Sequence, residues 1–219
     1  MFKSIFLYQV NFTIVTGGSG YVGGHVCKAL FQSGYIPVNI DRAESPWSES
    51  WGPFYRMSFT PSHHAIHDAV KKYNIVAVIH YAANSLVGPS VTTPAMYYEN
   101  NVTNTLWLLD FLHSHGINKI VFSSSSSVYG DQAVVPIKEE AQLNPLTSYG
   151  RSKQMVEGIL HDYSIAYNMH SVSLRYFNAC GADFDGELGQ IKDATHVVAR
   201  VLESIINGGI SKVYFRKGI

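Results

Sequence analysis

Short apolar runs alternate along the chain with longer stretches whose apolar residues recur every three or four positions. Phe12-Thr13-Ile14-Val15 is a β-favouring run that leads straight into glycines. Val22 to Phe31 has helical spacing and stops before Ser33-Gly34. Ile36 to Ile40 predicts a second strand closed by Asp41, 43–53 a polar loop with two tryptophans, and Phe54 to Met57 a third strand. Pro61 to Tyr73 predicts a helix, with proline near its start where its missing N–H is not needed. Val76 to Tyr81 predicts an apolar strand, and Tyr97 to His115 a long helix ended by Gly116. Lys119 to Ser123 and Ser171 to Tyr176 predict strands on either side of a helix over Ser148 to Tyr167. Thr195 to Ile206 predicts a last helix before Gly208-Gly209, and Val213 to Phe215 one more strand.

Strands written as continuous Val/Ile runs are buried on both faces, as in parallel sheets. Their alternation with helices gives βαβ units with right-handed crossovers. The expected fold class is therefore α/β: a doubly wound parallel sheet with helices on both faces.

Composition narrows the function. The chain has 219 residues, 46% hydrophobic and 15% charged, with zero formal net charge. A large core fits that balance; a nucleic-acid surface, with its clustered Lys and Arg, does not. Cys27 and Cys180 are too few and too far apart for a disulfide framework, and they suit a reduced, cytoplasmic protein. No apolar run reaches the roughly 18 residues of a membrane span. Met1 to Val10 lacks a signal-peptide core and reads as a short extension before the first strand.

Thr16-Gly17-Gly18-Ser19-Gly20-Tyr21-Val22-Gly23 joins the first strand to the first helix. Gly17 permits the tight turn, Gly20 lets the backbone approach a pyrophosphate, and Gly23 allows close helix–strand packing. A pyrophosphate would rest on the helix N-terminus, where free N–H groups and the helix dipole favour anions. Asp41 ends the second strand, where an acid accepts hydrogen bonds from an adenosine ribose and repels a 2′-phosphate. This Rossmann fingerprint points to NAD rather than NADP, with Arg42 as the one residue that softens the preference.

A second constellation is Tyr149-Gly150-Arg151-Ser152-Lys153, which opens a helix and follows a strand ending in serines, Ser123 to Ser127. Tyr149 and Lys153 fall one turn apart on one face. A nearby ammonium lowers a tyrosine pKa by favouring the phenolate. The phenolate can then take a hydroxyl proton while hydride leaves to a nicotinamide. Lys153 would also hold the cofactor ribose, and a strand-end serine the reacting oxygen.

Together these residues resemble the extended short-chain dehydrogenase/reductase family and, within it, the UDP-glucose 4-epimerases. The resemblance runs from about Phe12 to about Ile206. It is carried further by Val87-Gly88-Pro89-Ser90-Val91, Tyr97-Tyr98-Glu99-Asn100-Asn101-Val102, Phe122-Ser123-Ser124-Ser125 with Val128-Tyr129-Gly130-Asp131, and Leu174-Arg175-Tyr176-Phe177-Asn178. It implies Tyr149 as catalytic base, Lys153 as its partner and Ser125 as the catalytic serine. Gly17, Gly20, Tyr21, Val22, Gly23, Asp41, Ala82, Asn100, Tyr149, Lys153 and Tyr176 would bind NAD. Ser125, Tyr149 and Asn178 would contact a UDP-sugar, UDP-glucose or UDP-galactose. The implied reaction is oxidation and re-reduction at sugar C4, a step of galactose metabolism.

The chain departs from the pattern at Pro89, Ser58 and Ser85, where the family has an acid, an adenine-contacting acid and a cofactor-binding lysine. The resemblance also implies roughly another hundred residues of substrate domain. The expected organisation is thus an NAD-binding domain over 1–180 and the start of an incomplete substrate domain over 181–219, weak or inactive at this length. Family members pair through two helices like 91–115 and 149–167, which implies a homodimer. The alternatives are another NAD-dependent sugar-nucleotide epimerase, such as a uronate epimerase, or a dehydratase, which Ser126-Ser127 disfavours at positions that hold Asp-Glu in those enzymes, and a non-catalytic NAD-binding protein. His63 and His67 have metal-ligand spacing, but without a matching acid or cysteine cluster they read as a solvated helix face, and no metal is expected. Tyr97, Tyr98 and Trp107 read as core.

Overall fold

The computed structural model describes residues 10–58, 64–190 and 196–209. Six strands form one parallel sheet: β1 (Phe12–Thr16), β2 (Ile36–Asp41), β3 (Phe54–Arg56), β4 (Ile75–His80), β5 (Lys119–Ser125) and β6 (His170–Tyr176). Their order is β3-β2-β1-β4-β5-β6. The chain winds outward from β1 through β2 to β3, then returns to β1's other side and continues through β4 to β6. The crevice between the carboxyl ends of β1 and β4 is where such a sheet binds ligands.

The helices are α1 (Tyr21–Gln32), α2 (His64–Lys72), α3 (Val87–Thr92), α4 (Pro94–Tyr98), α5 (Asn104–Ser114), α6 (Ser148–Tyr167) and α7 (Val197–Ile206). Alternation along β1 sorts them onto the two faces. Ile14 joins a core with Leu108 and Leu112 of α5, Val156 and Leu160 of α6 and Ile66 of α2. Val15 joins a smaller core on the other face with Cys27 of α1, Trp47, Trp51 and Leu188. Each such fully buried aliphatic side chain contributes about 1.5–3 kcal/mol relative to exposure. β6 is an edge strand, and its Val172 and Leu174 remain exposed. Both cysteines are free.

Three elements differ from the pattern-based expectation. The long helix over 97–115 is instead α4, a π-turn (Glu99–Thr103) and α5. A π-turn widens the helix by one residue and turns side chains off the regular stripe. Here it places Asn101 in the interior, 2% exposed. α3 lacks a clear periodic stripe; its Pro89 is tolerated because it lies in the first turn. β5 runs on to Ser125, since Ser123, Ser124 and Ser125 keep pairing with Leu174, Arg175 and Tyr176 of β6. The expected start of α2 at Pro61, Thr195 and the strand over Val213 to Phe215 lie outside the described residues.

Candidate active site

The glycine turn adopts the conformation its spacing implies. Gly17 has φ +77°, and a Cβ there would lie 2.8 Å from the backbone nitrogen of Ala82. A Cβ on Gly23 would lie 2.1 Å from the carbonyl oxygen of Gly17. Gly20 is different: its Cβ would meet only the Gly17 oxygen, at 3.2 Å, so its bareness serves the groove more than the packing. Gly20 is also the N-cap of α1 and provides no side-chain cap, which leaves first-turn N–H groups free for an anion. Asp41 is held in place from both sides. Its Oδ2 accepts the Ser19 N–H at 3.1 Å and its Oδ1 the Ala43 N–H at 3.1 Å. Gly18, which the spacing argument passes over, is required by β2: a Cβ there would lie 2.3 Å from Asn39 Oδ1.

A groove of about 1020 Å³ runs along the carboxyl ends of the strands. Gly17, Gly20, Tyr21, Val22, Gly23 and Asp41 line it. Ala82, Asn100, Ser125, Tyr149, Tyr176 and Asn178 line it too, together with Arg42, Ser58, Ser85 and Pro89. One expected residue is not on this wall. Lys153 lies beneath it, 3% exposed, with Nζ donating to the carbonyl oxygen of Ser123 at 2.7 Å. Its Nζ is 4.8 Å from the centroid of the Phe122 ring and 5.9 Å from that of Tyr149.

The pleat of β5 separates the serines. Ser125 hydrogen-bonds the Tyr149 hydroxyl and also accepts the Ser127 N–H at 3.1 Å. Ser124 turns to the opposite side and donates to Glu157 Oε1 on α6. Glu157 in turn takes a fork of bonds from Arg175 of β6, at 3.0 and 2.7 Å. Ser123 to Ser127 all line the groove with Tyr149, and Ser125 is the one that hydrogen-bonds the Tyr149 hydroxyl. Helix α6 starts at this place because Thr147 caps it, accepting the Gly150 N–H at 3.2 Å.

Electrostatics corrects one expectation. Burial raises the Tyr149 phenol, the Ser125 hydrogen bond offsets this only in part, and nearby Tyr97 raises it further. The net direction is upward, the reverse of the lowering argued from Lys153. Burial also pushes Lys153 down, to about 7. Burial therefore outweighs any lowering by this lysine at Tyr149.

A hydrogen-bonded chain links the two halves of the site. The Ala82 N–H donates to Thr16 Oγ1, which is 2.7 Å from His80 Nδ1; His80 Nε2 is 3.0 Å from Thr105 Oγ1. Thr105 donates to the Asn101 carbonyl at 2.7 Å, so its hydroxyl accepts from His80 Nε2–H, and Nδ1 accepts from Thr16. Burial, with a smaller contribution from Lys153, pushes His80 down to about 3, so it is a neutral imidazole. Asn101 continues the chain: its Oδ1 accepts the Asn84 N–H at 2.8 Å and its Nδ2 is 3.1 Å from Ser152 Oγ. Tyr81 also bridges the site, its hydroxyl 2.6 Å from that of Tyr176. Sequence reasoning missed His80, Asn101 and Tyr81. A histidine ending an otherwise apolar strand was the one visible signal.

Among the described residues the one cluster of potential metal ligands is Asp183, Asp185 and Glu187, and it includes no histidine. His67 instead packs edge-on against Phe111. No helix among the described residues is long and apolar enough to cross a membrane.

Comparison with known proteins agrees with this geometry. The NAD dependent epimerase/dehydratase family model matches residues 13–218. A UDP-glucose 4-epimerase of Rhizobium leguminosarum bv. trifolii is 38% identical over 196 residues, 88% of this chain and 60% of that protein. The crystal structure of UDP-glucose 4-epimerase from Brucella ovis in complex with NAD is 41% identical, with a TM-score of 0.84 over 91% of this chain and 62% of that one. The UDP-glucose 4-epimerase from Bifidobacterium longum, in complex with NAD+ and UDP, is 34% identical, with a TM-score of 0.77 over 82% and 57%. The chain therefore spans about 60% of the length of the curated relatives it matches. Motifs, topology and these matches together show that the chain belongs to the NAD-dependent epimerase/dehydratase family.

Proposed function

We propose that this chain binds NAD and carries the catalytic half of a UDP-glucose 4-epimerase. The observation that carries the reading is the presence of Ser125 and Tyr149 in the same groove as the glycine turn and Asp41. The chain fits the cofactor. Gly17, Gly20 and Gly23 leave room for a pyrophosphate, uncapped N–H groups of α1 face it, and the fixed carboxylate of Asp41 suits a ribose diol. Tyr21, Val22, Ala82, Asn100 and Tyr176 complete that wall.

NAD, when bound, supplies a hydride acceptor that also returns the hydride. The chain's residues handle the proton and the geometry. Ser125 holds the sugar 4-oxygen, and Tyr149 Oη takes the hydroxyl proton and later gives it back. Lys153, when protonated, stabilises the phenolate from below and fixes the end of β5 through Ser123. Asn178 stands on the wall where a UDP-sugar diphosphate would lie. We assign 1–180 to the NAD-binding domain and 181–219 to the start of the substrate domain. Two free cysteines suit a cytoplasmic setting, and exposed Met96, Leu106 and Met155 on α4, α5 and α6 suit a homodimer.

The test is to load the chain with NAD, add UDP-galactose, and separate UDP-glucose chromatographically. Slow conversion that disappears in Tyr149→Phe is the expected result. Retention of NAD with no conversion would favour the alternative of a non-catalytic NAD-binding protein.

A further inference from the structure

Lys28 lies on α1, seven residues after Tyr21, and is only 7% exposed. Its ammonium meets three carboxylates: Asp183 at 2.7 Å, Asp185 at 2.6 Å and Glu187 at 2.8 Å. Burial alone would lower its pKa, but hydrogen bonds to these acids outweigh burial and hold it above the ordinary lysine range. The acidic loop is itself ordered. Asp183 donates its N–H to the Leu188 carbonyl at 3.1 Å, and its Oδ2 accepts the Glu187 N–H at 3.0 Å.

Two further contacts fasten the same loop to the same helix face. The Tyr21 hydroxyl donates to the Gly181 carbonyl at 2.6 Å. Leu188, 4% exposed, packs with Trp47 above Gly24, where a Cβ would lie 2.6 Å from Trp47 Nε1. Positions 21, 24 and 28 are one face of a helix. That helix begins at the dinucleotide turn. The loop begins just after Asn178 and Ala179, which line the groove, and beyond it His196 lines the groove again. One ion cluster thus ties the helix that follows the dinucleotide turn to a loop flanked by groove-lining residues.

We infer that Lys28 is a positioning residue: by clasping the 183–187 loop to α1 it holds the 177–181 wall beside the dinucleotide turn and couples retention of the cofactor to binding of the nucleotide-sugar. The inference rests on the NAD and UDP-sugar reading above. An ion cluster suits this role because its geometry specifies one register, and breaking a partly buried one leaves charges uncompensated.

The test compares the unsubstituted chain with Lys28→Met, Lys28→Arg and Asp183→Asn. Three quantities are measured: amide exchange across the chain, the rate of NAD release, and the affinity for UDP of the NAD-loaded protein. In Lys28→Met, exchange at Asp183, Gly186 and Glu187 should rise, while β1 and β5 amides stay protected. NAD should leave about tenfold faster and UDP bind about tenfold more weakly. Lys28→Arg should restore most of both, and Asp183→Asn should repeat the loss should Lys28→Met fail to fold. A loosened loop with unchanged NAD release and UDP affinity would overturn the inference, as would unchanged amide exchange. Failure of the unsubstituted chain to bind NAD or UDP would overturn the functional reading and the coupling with it.

Discussion

Lys153 donates a 2.7 Å hydrogen bond to the carbonyl of Ser123, two residues before the serine that faces Tyr149. The lysine one turn along α6 therefore fixes the strand end that presents Ser125, as well as lying beneath the tyrosine ring. Its influence on the site is positional and electrostatic together.

Tyr149→Phe and Ser125→Ala should each lower epimerisation by about 10²–10⁴-fold, the usual contribution of a positioned proton-transfer group or its partner. Ser125 is not among the expected NAD contacts, so Ser125→Ala should leave NAD affinity within a few-fold of the unsubstituted chain, whereas Tyr149→Phe also removes a hydroxyl from the NAD side. Activity and equilibrium binding measured on the same samples check both halves.

Folding stability should show two pH limbs. His80 is held near 3 against an ordinary 6.5, so between those values only the unfolded chain binds the proton, and stability falls as pH drops through that range. Lys153 is held near 7 against 10.5, so stability rises with pH above about 7. Cys27, pushed up to about 12 by burial and secondarily by Asp41, opposes this above its ordinary 9.0, so the Lys153 limb is cleanest between pH 7 and 9. Denaturant titrations across pH should find the alkaline limb flattened in Lys153→Met and the acid limb in His80→Gln.

Two glycine substitutions should have opposite effects. Gly23→Ala drives a methyl into the Gly17 carbonyl and should abolish NAD binding while lowering stability. Gly158→Ala, on an exposed turn of α6 with nothing near its Cβ, should stabilise the fold by about 0.5–1 kcal/mol. Melting curves with and without NAD separate the two.

Glu157→Ala removes the carboxylate partner of the Arg175 guanidinium, which keeps its bonds to the Tyr129 hydroxyl and the Glu139 carbonyl, and leaves the Ser124 hydroxyl without its acceptor. Breaking a largely buried pair from one side costs about 3 kcal/mol. Because Ser124 precedes Ser125, activity should drop as well. Replacing Arg175 and Glu157 together by apolar residues should recover part of the stability; a double-mutant cycle measures how much.

The sequence determined the sheet, the glycine turn, Asp41 and the Tyr149–Lys153 pair. All of these rest on local rules: strand composition, helical period, the steric needs of a tight turn, and the one-turn spacing that puts two side chains on one face. What it could not determine arises from contacts between distant segments. The pleat of β5 against β6 decided which serine faces Tyr149. Burial decided that the Lys153 pKa is pushed down and that of Tyr149 up, because desolvation depends on what covers a group and not on its neighbours in the chain. The His80 relay, the grip of Lys28 on Asp183 and the bonds of Asn101, within the π-turn, to Asn84 and Ser152 join residues far apart in the chain, so no local periodicity announces them.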